Sequence, residues 1–184
     1  LQISGLGLVV AAAIGLVTAL FRLSRSVTAN LLAQGYLEAV RNTPLLIQLF
    51  LIYFVIAPIV GLPPFWSAVI ALSLFEGAYA SEIIRGAIVS IPHHQWESCY
   101  CLGLTPSDTY RFVVLPQALR RIVPPLTGQA VSLVKDSALV STIAISDLTM
   151  MGSATVSDTF LTFEIWFTVA AIYLIINGLL SLMS

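Results

Sequence analysis

Five runs of mostly apolar residues, at about 3–23, 43–59, 64–84, 126–145 and 161–183, fix what this chain can become. A bilayer core of about 30 Å is crossed by about 20 such residues in a helix, so the chain is predicted to be an all-α, polytopic membrane protein with about five transmembrane helices. The second run is short and is expected to begin earlier, near Tyr36, as an amphipathic approach. Between the second and third, Ala57-Pro58-Ile59-Val60-Gly61-Leu62-Pro63-Pro64 carries turn residues and no charge, which predicts a tight loop. Trp66 and Trp166 fall near span ends, where amphipathic rings anchor at the interface. No internal repeat or low-complexity segment divides the chain, and residues 1–184 read as one membrane domain.

Composition closes off other classes. Of the 184 residues 58% are hydrophobic and only 9% charged, against about 25% charged in soluble domains. A net charge of −1 with eight scattered basic residues excludes a nucleic-acid surface, which needs clustered Lys and Arg. Cys99 and Cys101 are spaced for neither zinc nor a redox pair and read as small apolar fillers. His93-His94 lacks further ligands nearby and reads as solvated loop, so no metal site is expected. The first span opens abruptly at Leu1-Gln2-Ile3 without a cleavable signal pattern ahead of it, so residues preceding Leu1 are expected.

Orientation follows from the basic residues, which favour cytoplasmic loops. With the N-terminus outside, Arg22, Arg25, Arg41, Arg85, Arg111, Arg120 and Arg121 all fall on or near the cytoplasmic side, while the loops around Pro63 and 147–158 contain no Lys or Arg. Lys135 alone is left inside a span. This topology puts the polar stretch 95–116 in the cytosol. Residues 95–104 have helix potential with Trp96, Tyr100, Leu102 and Leu104 as apolar surface, and Gly103 stands where a left-handed residue would stop the helix. Thr105-Pro106-Ser107-Asp108 restarts a helix, with Thr105 or Asp108 serving its first amides, and Leu115-Pro116 is expected to end it. Two short helices with two stops predict a docking knob.

Here the chain resembles a family. Glu97, Gly103 and Leu115-Pro116 match the E-A-A, G, L-P loop of permease subunits of bacterial ABC importers. Arg41-Asn42-Thr43-Pro44-Leu45-Leu46-Ile47-Gln48-Leu49-Phe50, Gly77-Ala78-Tyr79 with Glu82-Ile83-Ile84-Arg85-Gly86, Leu115-Pro116-Gln117-Ala118-Leu119-Arg120, and Lys135-Asp136-Ser137-Ala138-Leu139 look like further signatures of its polar amino acid branch. Departures are Ser98 and Cys99, where the family usually has two alanines, and His94, where it usually has Gly. The resemblance implies a type I importer permease fold in a bacterial inner membrane, in which 95–116 is a cytosolic coupling loop. It implies that Glu97, Ser98, Cys99, Leu102, Gly103 and Leu104 contact a separate ATPase subunit, with Glu97 beginning the contact helix and favoured by its exposed amides.

The partners implied are two ATPase subunits, a second permease subunit identical or similar to this one, an extracytoplasmic binding protein, an amino acid substrate and lipid. No phosphate cradle of the G-x-x-x-x-G-K-[ST] type occurs, so ATP and Mg are expected on the ATPase and no catalytic residue or cofactor in this chain.

Ionisable residues inside a span cost about 2.5–3.5 kcal/mol on insertion scales and mark function or a structural lock. Glu76 in the third span, and Lys135 and Asp136 in the fourth, lie about 15 Å deep at 1.5 Å per residue. Neighbours on a helix diverge by about 100°, so only one of Lys135 and Asp136 can meet Glu76, and Lys135 is the sensible partner. One reading is a charge network that locks two helices. The other is that Glu76 and Asp136 border a path for a zwitterionic amino acid, with the extra carboxylate favouring arginine, lysine, histidine or glutamine. Arg41 and Thr43 are further candidates, since Thr43-Pro44 opens the backbone and lets polar groups line a cavity. Pro124-Pro125 is expected to loosen the start of the fourth span. Glu38 with Arg41 and Glu82 with Arg85 read as structural i, i+3 pairs. The alternative function is an ion-coupled secondary transporter relaying charge through Glu76, Lys135 and Asp136.

Overall fold

The computed structural model describes residues 2–182 and is built from helices. Three are each long and apolar enough to cross a membrane: α1 (Gln2–Leu23), α5 (Pro64–Val89) and α10 (Thr162–Leu182). Their length and mostly apolar sequence make the first, third and fifth spans readable. The last predicted residue of the fifth, Met183, lies outside the described residues.

α1 and α5 form the centre. α1 presents Gly7, Ala11, Gly15 and Ala19 at four-residue intervals, and α5 answers with Ser73, Gly77 and Ser81, all buried. Small residues at that spacing let two helix backbones approach, a recurrent way for helices to pack where lipid removes the hydrophobic drive. The approach is close: a Cβ added to Gly15 would sit 2.7 Å from Ala80 Cβ and 3.1 Å from the Gly77 carbonyl oxygen, and one on Gly77 would sit 2.8 Å from Ile14 Cγ2. Ser73 Oγ donates to the Gly7 carbonyl at 3.2 Å across the same seam.

The other two spans are bent. α2 (Val27–Arg41) starts under a Ser26 cap, whose hydroxyl accepts from the Ala29 amide at 3.4 Å, and is followed after a 104° bend by α3 (Leu45–Phe50), a π-helical stretch (Leu51–Ile56) and α4 (Ala57–Val60). The expected approach near Tyr36 is therefore a separate helix beginning at Val27. Its break falls at Thr43-Pro44, because proline disfavours helical backbone in the residue before it. Gly61, at φ 68°, closes α4 in the left-handed conformation, and the Leu62 amide returns to the Ala57 carbonyl at 2.9 Å.

After α5 come α6 (His93–Cys101) and α7 (Pro106–Asp108), from which the chain runs on through a π-helical stretch (Thr109–Val114), α8 (Leu115–Asp136) and a 3₁₀ stretch (Ser137–Ile143). Leu115-Pro116 does not end a helix, contrary to expectation. The reason is the π stretch: the Leu115 amide reaches back five residues to the Tyr110 carbonyl, and the widened turn gives the Pro116 ring room that an α-turn would deny it. The Ala57 amide does the same to Ile52 one residue before Pro58. Pro124 and Pro125 likewise lie inside α8. Residues 147–158, expected as a loop, are largely helical: Asp147 caps α9 (Leu148–Thr159), which meets the preceding rod at 51°.

Two cores flank the α1–α5 seam. One gathers Leu49, Val69, Leu72, Val140 and Ile143 toward the α4–α5 turn, and the other Ala19, Ile84, Ile88, Val114, Ala118 and Ile122 toward α6. α10 packs at the periphery, with Val169 its buried residue. Overpacking a close seam costs about 1–3 kcal/mol. Gly77→Val is expected to lower stability by about that amount in thermal unfolding, while Gly128→Ala, whose added Cβ meets nothing within 4 Å, leaves stability unchanged or raises it by about 0.5–1 kcal/mol.

Candidate functional site

The polar stretch after α5 is a compact projection. α6 begins at His93, four residues before Glu97, so Glu97 does not begin the helix and is not placed at its free amides. Its carboxylate instead pairs with His93 Nδ1 at 3.0 Å, one turn earlier, and His93 and His94 belong to the helix's first turn rather than to a loop. The helix stops as expected: Gly103 has φ 73°, its amide donates to the Tyr100 carbonyl at 3.0 Å, and the Leu104 amide donates to the Cys99 carbonyl at 3.0 Å. This paired closure is the Schellman arrangement, which glycine enters without strain. Thr105 then caps the next turn, accepting from the Asp108 amide at 3.2 Å and donating to the Asp108 carboxylate at 2.6 Å.

The inner face of α6 is fixed and its outer face is free. Cys99 is buried, Trp96 packs edge-on against Tyr110 with ring centroids 5.0 Å apart, and Arg121 Nη1 donates to the Ser90 carbonyl and hydroxyl at 2.7 Å each. Leu102 is 80% exposed and Tyr100 54%. Ser98 and Glu97 are exposed too, Ser98 Oγ donating to the His94 carbonyl at 2.8 Å, and Leu104 is half-buried. The reading of both cysteines as fillers holds for Cys99 alone; Cys101 is exposed. Leu102 and Tyr100 thus leave apolar surface on the outer side of a braced helix.

Midway along the bundle, α5 and α8 bring a second group together. Glu76 is 1% exposed. Its Oε2 accepts from Gln129 Nε2, its Oε1 has no partner among the described residues, and the Asp136 carboxyl lies near it. Lys135 is not the partner of Glu76. It is exposed and lines a separate space with Pro124, Thr127, Gly128, Val131 and Ser181. Gln129 and Asp136 are seven residues apart, within about 20° of the same helix face, whereas Lys135 is turned away by about 100°. Gln129 was not singled out from the sequence; its spacing from Asp136 is the signal that would have found it.

Arg41 and Thr43 do not join this group. The Arg41 guanidinium stands 5.8 Å from the centroid of the Tyr79 ring. Glu38 does not pair with it but accepts from Asn42 Nδ2 at 2.8 Å. The Thr43 hydroxyl donates to the Ala39 carbonyl at 2.8 Å and accepts from Gln48 Nε2 at 2.8 Å, so it secures the bend between α2 and α3. Nearby, Glu82 holds Arg85 at 2.8 Å as expected and Arg22 at 3.9 Å, while Arg22 Nη1 donates to Asn30 Oδ1 at 3.0 Å, tying α1, α2 and α5 together.

Among the described residues the chain is an all-helical bundle with membrane-length apolar helices, a braced helix projecting at one end and a polar cluster in its middle, the architecture of an integral membrane protein. The chain belongs to the binding-protein-dependent transport system inner membrane component family, which it matches over residues 11–184. It is 47% identical over 136 residues to the L-cystine transport system permease protein TcyB of Bacillus subtilis, a match covering 73% of this chain and 58% of that protein. It is 39% identical over 184 residues to the glutamine transport system permease protein GlnP of Escherichia coli, covering 98% of this chain and 84% of GlnP. A crystal structure of an amino acid ABC transporter with histidines superposes with a TM-score of 0.92 at 35% identity, covering 99% of this chain and 86% of that one.

The left-handed turn at Gly103 has open space around it, so a side chain there would be opposed by backbone conformation alone, by about 1–2 kcal/mol. Gly103→Val is expected to speed hydrogen exchange at the amides of residues 103 and 104 by about tenfold, with little change in global unfolding temperature.

Proposed function

We propose that this chain is the permease subunit of an ATP-driven amino acid importer, and that Glu76, Gln129 and Asp136 form the stretch of its path that receives the positive end of the substrate. One observation carries the reading: a fully buried carboxylate on one helix with a spare oxygen, held by Gln129 of another helix and with a second carboxyl, Asp136, nearby. An ammonium or guanidinium group offers only donors, and both carboxyls accept. A cationic or polar amino acid such as arginine, lysine, histidine or glutamine satisfies that arrangement, and a bare carboxylate does not.

Driving force enters through residues 95–116 as the coupling loop, with Leu102, Tyr100 and Ser98 on its free face and Glu97, Cys99, Gly103 and Leu104 holding the helix in shape. Its partner in this reading is an ABC ATPase, two copies of which serve a pair of permease subunits, with ATP and Mg bound there. An extracytoplasmic binding protein delivers substrate from the opposite side, the N-terminus lying outside and α6 in the cytosol of a bacterial cell. Differential contact of α6 with two ATPase states then biases the path between outward and inward access. A self-contained charge relay is supported less, because Lys135 stands apart from Glu76 and Asp136.

Reconstituted uptake with the binding protein and ATPase tests both parts. Loss of a buried charged hydrogen bond is worth about 1.5–3 kcal/mol, so Glu76→Gln is expected to raise the half-saturating concentration of a cationic amino acid by about tenfold or more while ATPase activity persists. Leu102→Glu is expected to abolish uptake and release the ATPase from membranes. Unchanged saturation in the first variant returns Glu76 to a structural role; an ionophore-sensitive, vanadate-resistant uptake overturns the ATP-driven reading.

A further inference from the structure

Arg41, the last residue of α2, is an exposed cation that the proposed path leaves without a role. Its guanidinium stands 5.8 Å from the centroid of the Tyr79 ring, within the range of a cation–π contact. That ring is itself packed against Phe75, with centroids 5.1 Å apart. Gln48 Nε2 donates to the Val40 and Thr43 carbonyls at 2.8 and 3.0 Å, which fixes the turn after Arg41 and with it the end of α2.

Tyr79 gives the depth of this cation. The apolar run 64–84 of α5 is centred on residue 74, and Tyr79 lies five residues past it, about 8 Å along the helix. Half the hydrocarbon thickness is about 15 Å, so the guanidinium lies at a level where contact with lipid is costly and charged side chains face a bundle interior or water. A carboxylate of the chain would be its usual partner. No described ion pair includes Arg41. Glu38 accepts from Asn42 Nδ2 at 2.8 Å, and Glu82 holds Arg85 at 2.8 Å and Arg22 at 3.9 Å. Both nearby carboxylates are therefore engaged elsewhere.

We infer that Arg41, braced by Tyr79, binds the α-carboxylate of the substrate. The inference rests on the proposed path and supplies the end of the substrate that Glu76, Gln129 and Asp136 do not receive. A cation–π contact holds the guanidinium without neutralising its charge, and its N–H fork matches the two oxygens of a carboxylate. Glu76 and Tyr79 are three residues apart on α5, neighbours on its surface and about 4.5 Å apart along its axis. The negative and positive anchors thus sit side by side on one helix, one toward α8 and the other toward α2. An amino acid carries both complementary charges, and the corresponding amine carries only one kind. Lys135, the other exposed cation of the bundle, lines a separate space beside Ser181.

The test uses the full-length chain with the subunits that co-purify with it, in phosphatidylcholine nanodiscs and without the binding protein, whose own recognition would otherwise enter. Equilibrium binding is measured for L-arginine against agmatine and for L-glutamine against 4-aminobutanamide, each amine being the amino acid without its carboxylate. One of the amino acids is expected to bind at least about tenfold tighter than its amine. Arg41→Gln is expected to remove that preference by weakening the amino acid alone, leaving the amine unchanged, and Arg41→Lys to keep part of it. Tyr79→Leu is expected to weaken the amino acid by about two- to fivefold. Glu76→Gln is expected to weaken amino acid and amine alike; if it changes neither, the reading of the positive end fails while that of Arg41 stands. Equal binding of amino acid and amine, equal weakening of both by Arg41→Gln, loss of the preference in Lys135→Gln instead, or binding of neither amino acid overturns the proposal.

Discussion

The close seam between α1 and α5 is the contact on which the rest of the molecule depends. Gly15 and Gly77 sit against each other's neighbours with no room for a Cβ, and small residues before and after them extend the seam along both helices. In lipid, apolar side chains gain nothing by leaving one hydrocarbon for another, so backbone approach and cross-helix polar contacts such as Ser73 to Gly7 do the binding. Both cores then form on either side of a fixed pair.

That seam also aims the polar cluster. Gly77 turns its face to α1, and its neighbour Glu76, about 100° around the helix, faces α8. The residue that cannot grow a side chain and the residue that carries the buried carboxylate are adjacent because one helix serves two partners. At its other end α5 leads directly into α6, which is braced by Trp96 against Tyr110 and by the Arg121 bonds to Ser90. Helix α8 therefore touches both regions, with Ala118 and Ile122 in the core beside α6 and Gln129 beside Glu76.

Much of this was legible from residue order. Three straight spans are announced by their mostly apolar length, and Gly103 and Thr105 declare the stop and restart around the projection because their chemistry is local. Tertiary context decided the rest. Pro116 is a sound stop signal in an α-helix, and the wider turn before it, invisible in composition, gives its ring room as the rod continues. The second span and its amphipathic approach near Tyr36 are legible, but the start of α2 at Val27 and the 104° bend are not, because an amphipathic helix and a bend divide the apolar signal. In the polar cluster, Glu76 and Asp136 stood out by charge, while Gln129 was passed over because a neutral amide raises no alarm. Charge attraction favours Lys135 as the partner of Glu76, whereas the helix phase set by Gln129 gives that place to Asp136.

The two widened turns have a consequence for how chain length varies. Each lodges one residue more than an α-turn would hold, immediately ahead of an X-Pro step at Ala57-Pro58 or Leu115-Pro116. Removing one residue from either stretch would restore ordinary winding and drive the proline ring into the carbonyl four residues back. The same deletion would turn the helix beyond the lost residue by about 100°, so the extra residue in each stretch also sets which neighbours the following helix faces.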